Sequence, residues 1–425
     1  MKVVVLNTSE RKGGAAVAAN RLLQSLSALP GMEVTMLVRD KTTVDSKVVS
    51  VNTTACRRWR NKIRFAWERM VIYMANHFDR SRLFEVSIAN TGTDLSRHPA
   101  VREADLIHLH WINQGFLSLR DLRRLQDLGK PIVWTLHDLW PATGICHYPG
   151  DCPRYQTQCK QCPFLKRHPW PAIDRLVFKR KSRLDFSHTT FVGCSRWISR
   201  MAGKSHLLQG AAGFRAISNP IDTLIFHPAD RFATRHNFQL PADRKIVLFA
   251  AAKVSDTRKG IAYLIEACHL LDKQGLKNFD IALLGGQPQD FSADFPCPIH
   301  SLGYLNHPDA IQAAYACADL FVIPSLEDNL PNTIMEALAC GTPCVGFHTG
   351  GIPEMIDHLQ NGYLARYKDA RDLADGIAWV LDHPEPESLS KACVDKVNTC
   401  YRKEVVAKQY TELYQELLNR ENHGS

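Results

Sequence analysis

The chain has 425 residues, 45% of them hydrophobic and 22% charged, with a formal net charge of +9. That length is generous for one hydrophobic core and suits two, because single cores stop growing at roughly 250–300 residues. The composition excludes wholesale disorder, and 13 cysteines in so long a chain exclude a dense disulfide framework.

At the start, Lys2 leads into Val3–Leu6 and the polar Asn7-Thr8-Ser9 follows at once, so no apolar signal-peptide core forms. No apolar run approaches the roughly 18 residues a bilayer span needs. A cytosolic location is expected, and cysteines such as Cys268, Cys317, Cys340 and Cys393, scattered singly through periodic segments, agree with it. The positive balance points to an anionic partner or simply to a basic surface. No nucleic-acid-binding motif accompanies it, so no nucleic-acid partner is expected.

Short β-branched runs alternate with longer helical patterns, which predicts a parallel α/β architecture. Val3–Leu6 reads as a strand, and Gly13-Gly14 is a turn opening a helix over Ala15–Leu29, which Pro30-Gly31 stops. Strands follow at Val34–Val38, Leu106–His110, Ile132–Leu136 and Thr190–Gly193. From Asn219-Pro220 to about Asp243 the rhythm fails around Pro220, Pro228 and Pro241, which predicts an interdomain linker. It then restarts: strand Ile246–Ala250, helix Ile261–Leu271, strand Ile281–Leu284, helix Ile311–Ala318, strand Leu320–Ile323, helix Thr333–Ala339 and strand Cys344–Phe347. Two Rossmann-like, doubly wound domains are expected, residues 1–218 and 219–401, with the ligand in the crevice between them. Val406, Tyr410, Leu413 and Leu417 recur at helical spacing, so a final helix over about 402–420 needs an apolar surface, for which the first domain is a candidate.

The richest stretch runs from Pro324 to Ala337, at the carboxyl end of a strand, where open α/β sheets bind ligands. Asn332 can cap the helix that begins with Thr333, and the free N–H groups there suit a phosphate. Asp328 and Glu336 suit the paired hydroxyls of a sugar, since an ionised carboxylate accepts without donating; ordinary surface acids near a helix start would look the same. Lys253 and Lys259 flank the first strand-to-helix turn of the second domain, where two cations suit a diphosphate. Gly350-Gly351 follows the next strand and lets backbone N–H groups approach phosphate, and Gly13-Gly14 occupies the matching turn of the first domain. His137 ends the strand Ile132–Leu136, placed to meet a sugar hydroxyl or a developing charge.

These residues carry a resemblance. The chain resembles the large family of retaining GT-B glycosyltransferases that assemble bacterial cell-surface polysaccharides, and within it the colanic-acid, exopolysaccharide branch. The likeness covers nearly the whole chain and is strongest from Ser301-Leu302-Gly303-Tyr304, through Ala318–Ser325, to Gly351-Ile352-Pro353-Glu354. The family's Glu-x7-Glu pair falls on Asp328 and Glu336, with Asp in the first place, and its basic pair falls on Lys253 and Lys259. Lysine for arginine keeps the charge and loses the bidentate fork. The resemblance also implies that Gly14 approaches the donor phosphate and that His137 reaches toward the transferred sugar. It implies a hexosyl transfer from a nucleotide-sugar donor to a polyprenyl-linked or polysaccharide acceptor, with retention and without a catalytic metal. The absence of any Asp-x-Asp from the sequence agrees with the last point. A sugar-nucleotide epimerase of the same fold and a non-catalytic relative are the alternatives.

Two features stand outside the general pattern. Cys146, Cys152, Cys159 and Cys162 fall within 17 residues, which favours a structural zinc over free thiols or a redox pair. From Cys56 to Met74, six basic residues alternate with Trp59, Ile63, Phe65, Trp67 and Val71. That mixture suits peripheral contact with the inner face of the plasma membrane, and a helix packed on its sheet with a solvated basic face would read alike.

Overall fold

A computed structural model describes residues 1–166, 169–253, 256–286 and 293–424. The chain divides into two compact units, Met1–Asn219 with Val406–Ser425, and Pro220–Val405.

The first unit is built on strands β1 (Lys2–Ser9), β2 (Glu33–Asp40), β3 (Val48–Ser50), β4 (Leu106–Leu109), β5 (Ile132–Leu136), β6 (Thr189–Gly193) and β7 (Gly213–Ala216), in the order β3-β2-β1-β4-β5-β6-β7. Every pairing is parallel, so both faces must be covered by helices and the central strands read as largely apolar runs. Alternation is still visible in what each side chain meets. Val4 and Leu6 sink into one core cluster, and Val3 and Val5 into another on the opposite face. The second cluster is completed from the far end of the chain. Helix Lys403–Gly424 buries Val406, Tyr410, Leu413, Tyr414 and Leu417 in it, beside Val3 and Val5.

The second unit holds β8 (Lys245–Lys253), β9 (Phe279–Gly286), β10 (Ile299–Gly303), β11 (Leu320–Ile323), β12 (Cys344–Phe347) and β13 (Gly362–Ala365), in the order β10-β9-β8-β11-β12-β13. Both sheets are Rossmann-like, and in each the strand order reverses beside the first strand, between β1 and β4 and between β8 and β11. Open sheets take their ligands outside the carboxyl ends of the strands at such a reversal.

The segment from Pro220 to Asp243 is not a linker. It carries helix Arg231–Asn237, capped by the Asp230 side chain. The buried Arg235 donates to the carbonyls of Cys317 and Ala242 and pairs with Asp319. Prolines interrupt the apolar rhythm, but a buried arginine bonded to three carbonyls and a carboxylate fastens the segment to the second sheet.

Candidate functional site

In the second unit three loops meet at the strand reversal. The first runs from β8 to helix Ile261–Lys273 and carries Lys259. The second leaves β11 and carries Asp328, and the third leaves β12 and carries Gly350 and Gly351. Lys259 Nζ lies 2.7 Å from Asp328 Oδ2, so two residues 69 positions apart form an ion pair where the order reverses. Their side chains are 33% and 15% exposed, leaving the pair open to a ligand.

Close backbone packing holds the loops together, and two glycines permit it. Gly260 has φ +74°, and a Cβ there would stand 1.9 Å from the Pro324 carbonyl oxygen. Gly350 has φ +58°, and its Cβ would stand 1.8 Å from the Asp328 oxygen. Neither position has room for a side chain, and both use the left-handed region that favours glycine. Leu326 N–H donates to Arg258 O at 2.8 Å and Gly351 N–H to Asp328 O at 3.2 Å, stitching the three loops into one surface.

The helix after Asp328 departs from expectation in one respect. It spans Asn332–Ala339 with Pro331 at the N-cap and no side-chain cap. Asn332 is thus the first helical residue rather than the cap, because proline's fixed φ takes the extended conformation the cap position requires. Thr333 follows in the first turn. Glu336 is buried at 8% exposure against Tyr315, whose hydroxyl is pushed well up, by burial and then by the adjacent Glu336 carboxylate. Lys253 ends β8 at the same reversal, and its side chain lies outside the described residues.

In the first unit the reversal is occupied by histidines. Gly13 stands at the N-cap of helix Gly14–Ser27, which has no side-chain cap. His110 and His137 follow the ends of the neighbouring strands β4 and β5, and His110 Nδ1 lies 2.9 Å from His137 Nε2. The other ring nitrogen of His137 faces Cys194 Sγ at 3.5 Å, so a substrate hydroxyl would have to displace a protein partner. Deeper, His108 bonds Tyr414 and Thr135 through its two nitrogens, each at 2.7 Å. Burial holds His137 at about 4 and His108 at about 3 and carries His110 well below its ordinary value. All three are neutral at pH 7 and act as hydrogen-bonding groups rather than cations. Sequence reasoning missed His108 and His110. The available signal was His-Leu-His in a strand, which puts both rings on one face.

Asp138 anchors the loop beyond β5. It accepts from Trp111 Nε1 at 2.8 Å and from the Trp140 N–H at 2.9 Å, and it meets His147 Nδ1 at 2.7 Å. Burial alone would raise its carboxyl, but His147 and these donors hold it below the usual range. The same loop brings Cys146, Cys152, Cys159 and Cys162 around one cavity of about 20 Å³. Cys146 and Cys162 hydrogen-bond each other, which with burial raises Cys146 well above its ordinary value. Cys159 Sγ accepts from the Gly144 N–H at 3.2 Å and is raised to about 11 by burial. Among the described residues, no three His, Cys, Asp or Glu side chains stand as a metal would hold them. Lys181 is buried beside these thiols, donating to Trp140 and Thr143 carbonyls, and burial lowers it to about 7.

Comparison with known proteins agrees with this geometry. Residues 244–383 match the family described as glycosyl transferases group 1. A colanic acid biosynthesis glycosyl transferase of Escherichia coli K12 is 28% identical over 263 residues, 59% of this chain and 62% of that protein. The N-acetyl-α-D-glucosaminyl L-malate synthase of Bacillus anthracis is 30% identical over 122 residues, 28% of this chain and 32% of the synthase. The chain thus spans less than two thirds of either curated relative. Among solved structures, a sucrose-phosphate synthase from Thermosynechococcus elongatus superposes with a TM-score of 0.67 at 18% identity, covering 99% of both chains. Anabaena HepE, solved with UDP and glucose, gives 0.62 at 16%, covering 98% of this chain and 99% of its own. The chain therefore has the GT-B fold of two Rossmann-like domains, and its second unit carries a glycosyl transferases group 1 domain.

Proposed function

We propose that the protein is a glycosyltransferase that moves a hexosyl unit from a nucleotide-sugar to a polyprenyl-linked or polysaccharide acceptor in exopolysaccharide biosynthesis. The transfer retains anomeric configuration and needs no catalytic metal. The observation that carries the reading is the Lys259–Asp328 pair at the reversal between β8 and β11, on loops locked by Gly260 and Gly350. In this reading the Lys259 ammonium turns from Asp328 to the diphosphate and offsets the charge that grows on it as the glycosidic bond breaks. Lys253, Gly350, Gly351 and the uncapped N-terminus of helix Asn332–Ala339 supply the remaining donors. Asp328, once released, and Glu336 accept from sugar hydroxyls. In the first unit, neutral His137 donates to the transferred sugar and Gly14 lies against the phosphate. A polyprenyl-linked acceptor brings the reaction to a membrane face.

The test is calorimetric titration with nucleoside diphosphates and their sugars, uridine compounds first, with and without Mg²⁺, followed by product analysis. Lys259→Ala should weaken diphosphate binding, whereas Asp328→Asn should weaken the sugar nucleotide more than the bare diphosphate. Binding that requires Mg²⁺ ends the metal-independent part of the reading. An inverted product ends the retaining part, and no binding across the panel ends the whole. Interconversion of the donor sugar without an acceptor would favour the epimerase.

The cysteine loop carries a separate proposal, a structural zinc held by Cys146, Cys152, Cys159 and Cys162 after loss of their protons. What supports it is four thiols around a cavity wide enough for one small occupant. Metal analysis of reduced, unwashed protein should give about one zinc per chain; protein without zinc ends the idea.

A further inference from the structure

Helix Ala55–Ala75 turns an apolar face outward. Trp59, Ile63, Trp67, Met70 and Met74 follow one another at steps of three or four, which places them along one side. Their exposures lie between 44% and 68%. The stripe from Trp59 to Met74 is about 22 Å long at 1.5 Å per residue. The helix cannot roll to hide it, because the opposite face is fastened. Glu68 Oε1 accepts from the N–H groups of Ile88 and Ala89, both at 2.9 Å, and Ile72 and Ala75 are buried. At the helix end, Trp170 is 81% exposed, and its N–H bonds to Ala75 O at 3.1 Å, which adds one more exposed ring there.

The borders of the stripe are basic. A turn of 3.6 residues puts Lys62, with Arg58 beyond it, along one edge and Arg60 along the other, and all three are exposed. Near the start of the helix, Arg57, Arg60, Arg97 and His98 line a cavity of about 420 Å³, a size that suits a ligand head group. Asp94 also lines it, but Arg124 Nη1 holds that carboxylate at 2.9 Å.

We infer that this face docks on an anionic phospholipid surface. The helix lies in the plane of the interface with the Trp59–Met74 stripe among the upper acyl chains, and the arginine-lined cavity takes a lipid phosphate. No described helix is long and apolar enough to cross a membrane, so the contact lies on the bilayer rather than through it. Charge selects this occupant. A second copy of the chain packed on the stripe would bring basic borders against basic borders, whereas an anionic surface neutralises both edges while the stripe is buried. The inference rests on the reading of a lipid-linked acceptor and names the surface that reaches it.

The experiment is co-sedimentation of the full chain with phosphatidylcholine vesicles, with and without phosphatidylglycerol, alongside nucleoside diphosphate titration of the same preparations. Phosphatidylglycerol vesicles should pellet the protein, less so at high salt. The double variant Trp59→Ser/Trp67→Ser should weaken this at least about tenfold. Arg58→Ala/Lys62→Ala should weaken it about fivefold per charge removed. Both pairs are exposed, so unchanged circular dichroism and unchanged nucleotide affinity are expected in each. Vesicle binding that ignores both variants, or no vesicle binding by the parent chain, overturns the inference. So does a parent chain that dimerises in sedimentation velocity and loses only that property in the tryptophan variant. Vesicle binding without any nucleotide binding would leave the docking face standing and remove the donor reading instead.

Discussion

Lys259 and Asp328 neutralise each other, and this shapes what each substitution should do. A charge-assisted hydrogen bond contributes roughly 1.5–3 kcal/mol. Lys259→Ala should therefore raise the nucleoside diphosphate dissociation constant about 10- to 100-fold, with Asp328 left as a repulsive neighbour; unchanged affinity in calorimetry removes Lys259 from the site. Glu336→Gln keeps the shape beside Tyr315 and removes only the charge, so transfer should fall at least about tenfold while the thermal midpoint holds. Equal turnover would make Glu336 a packing residue. That Lys259 and Asp328 lie on loops leaving strand ends was legible in the sequence, because such a loop announces itself in composition. The histidines were harder to see. His110 and His137 are 27 residues apart and meet only because β4 and β5 pair in parallel, Leu109 beside Trp134, a register no local pattern encodes.

At the scale of elements, the four strands that sequence patterning did not mark, Val48–Ser50, Gly213–Ala216, Ile299–Gly303 and Gly362–Ala365, are the outer strands of the two sheets. Central strands, covered on both faces, are predominantly apolar and so read clearly; outer strands are half exposed, and β7 and β10 carry hardly a buried residue. The loops at the site depend on close backbone contact, which periodicity does not report either. Gly350→Ala should displace the loop from Asp328, cost roughly 1–3 kcal/mol and weaken diphosphate binding; an alanine variant with native melting and affinity would show that the loop has slack. His108 and Thr135 tie the final helix to β4 and β5, His108 to Tyr414 and Thr135 to Tyr410. The low folded values of the buried histidines give stability a definite pH slope. Unfolded histidines take up protons near 6.5 while His137 and His108 stay neutral to about 4 and 3. Stability is then complete above pH 6.5 and declines as pH falls toward 4, by at most about 1.4 kcal/mol per unit for each histidine. Melting curves across that window should show the decline, and His108→Gln should flatten it.

At the scale of the molecule, the first unit consists of two stretches of chain separated by the whole of the second. Val406, Ala407, Tyr410, Leu413, Tyr414 and Leu417 bury their side chains in its core. By area alone their removal is worth on the order of 10 kcal/mol, an upper figure comparable with the net stability of a domain. A chain ending at Val405 should lose the cooperative melting of the first unit while the second still unfolds as a unit. Two clean transitions from the shortened chain would mean that the helix only decorates the surface.

That arrangement also sets a timetable on the ribosome. The N-terminal sheet leaves the exit tunnel first, yet the cluster that β1 shares with helix Gly14–Ser27 lacks one wall until residues 406–417 have been made, so the part synthesised second is free to finish folding ahead of the part synthesised first. A nascent chain that stalls before Val406 would leave that cluster open along one side to chaperones and proteases. The helix thus makes completion of the first unit wait on residues synthesised after the whole of the second.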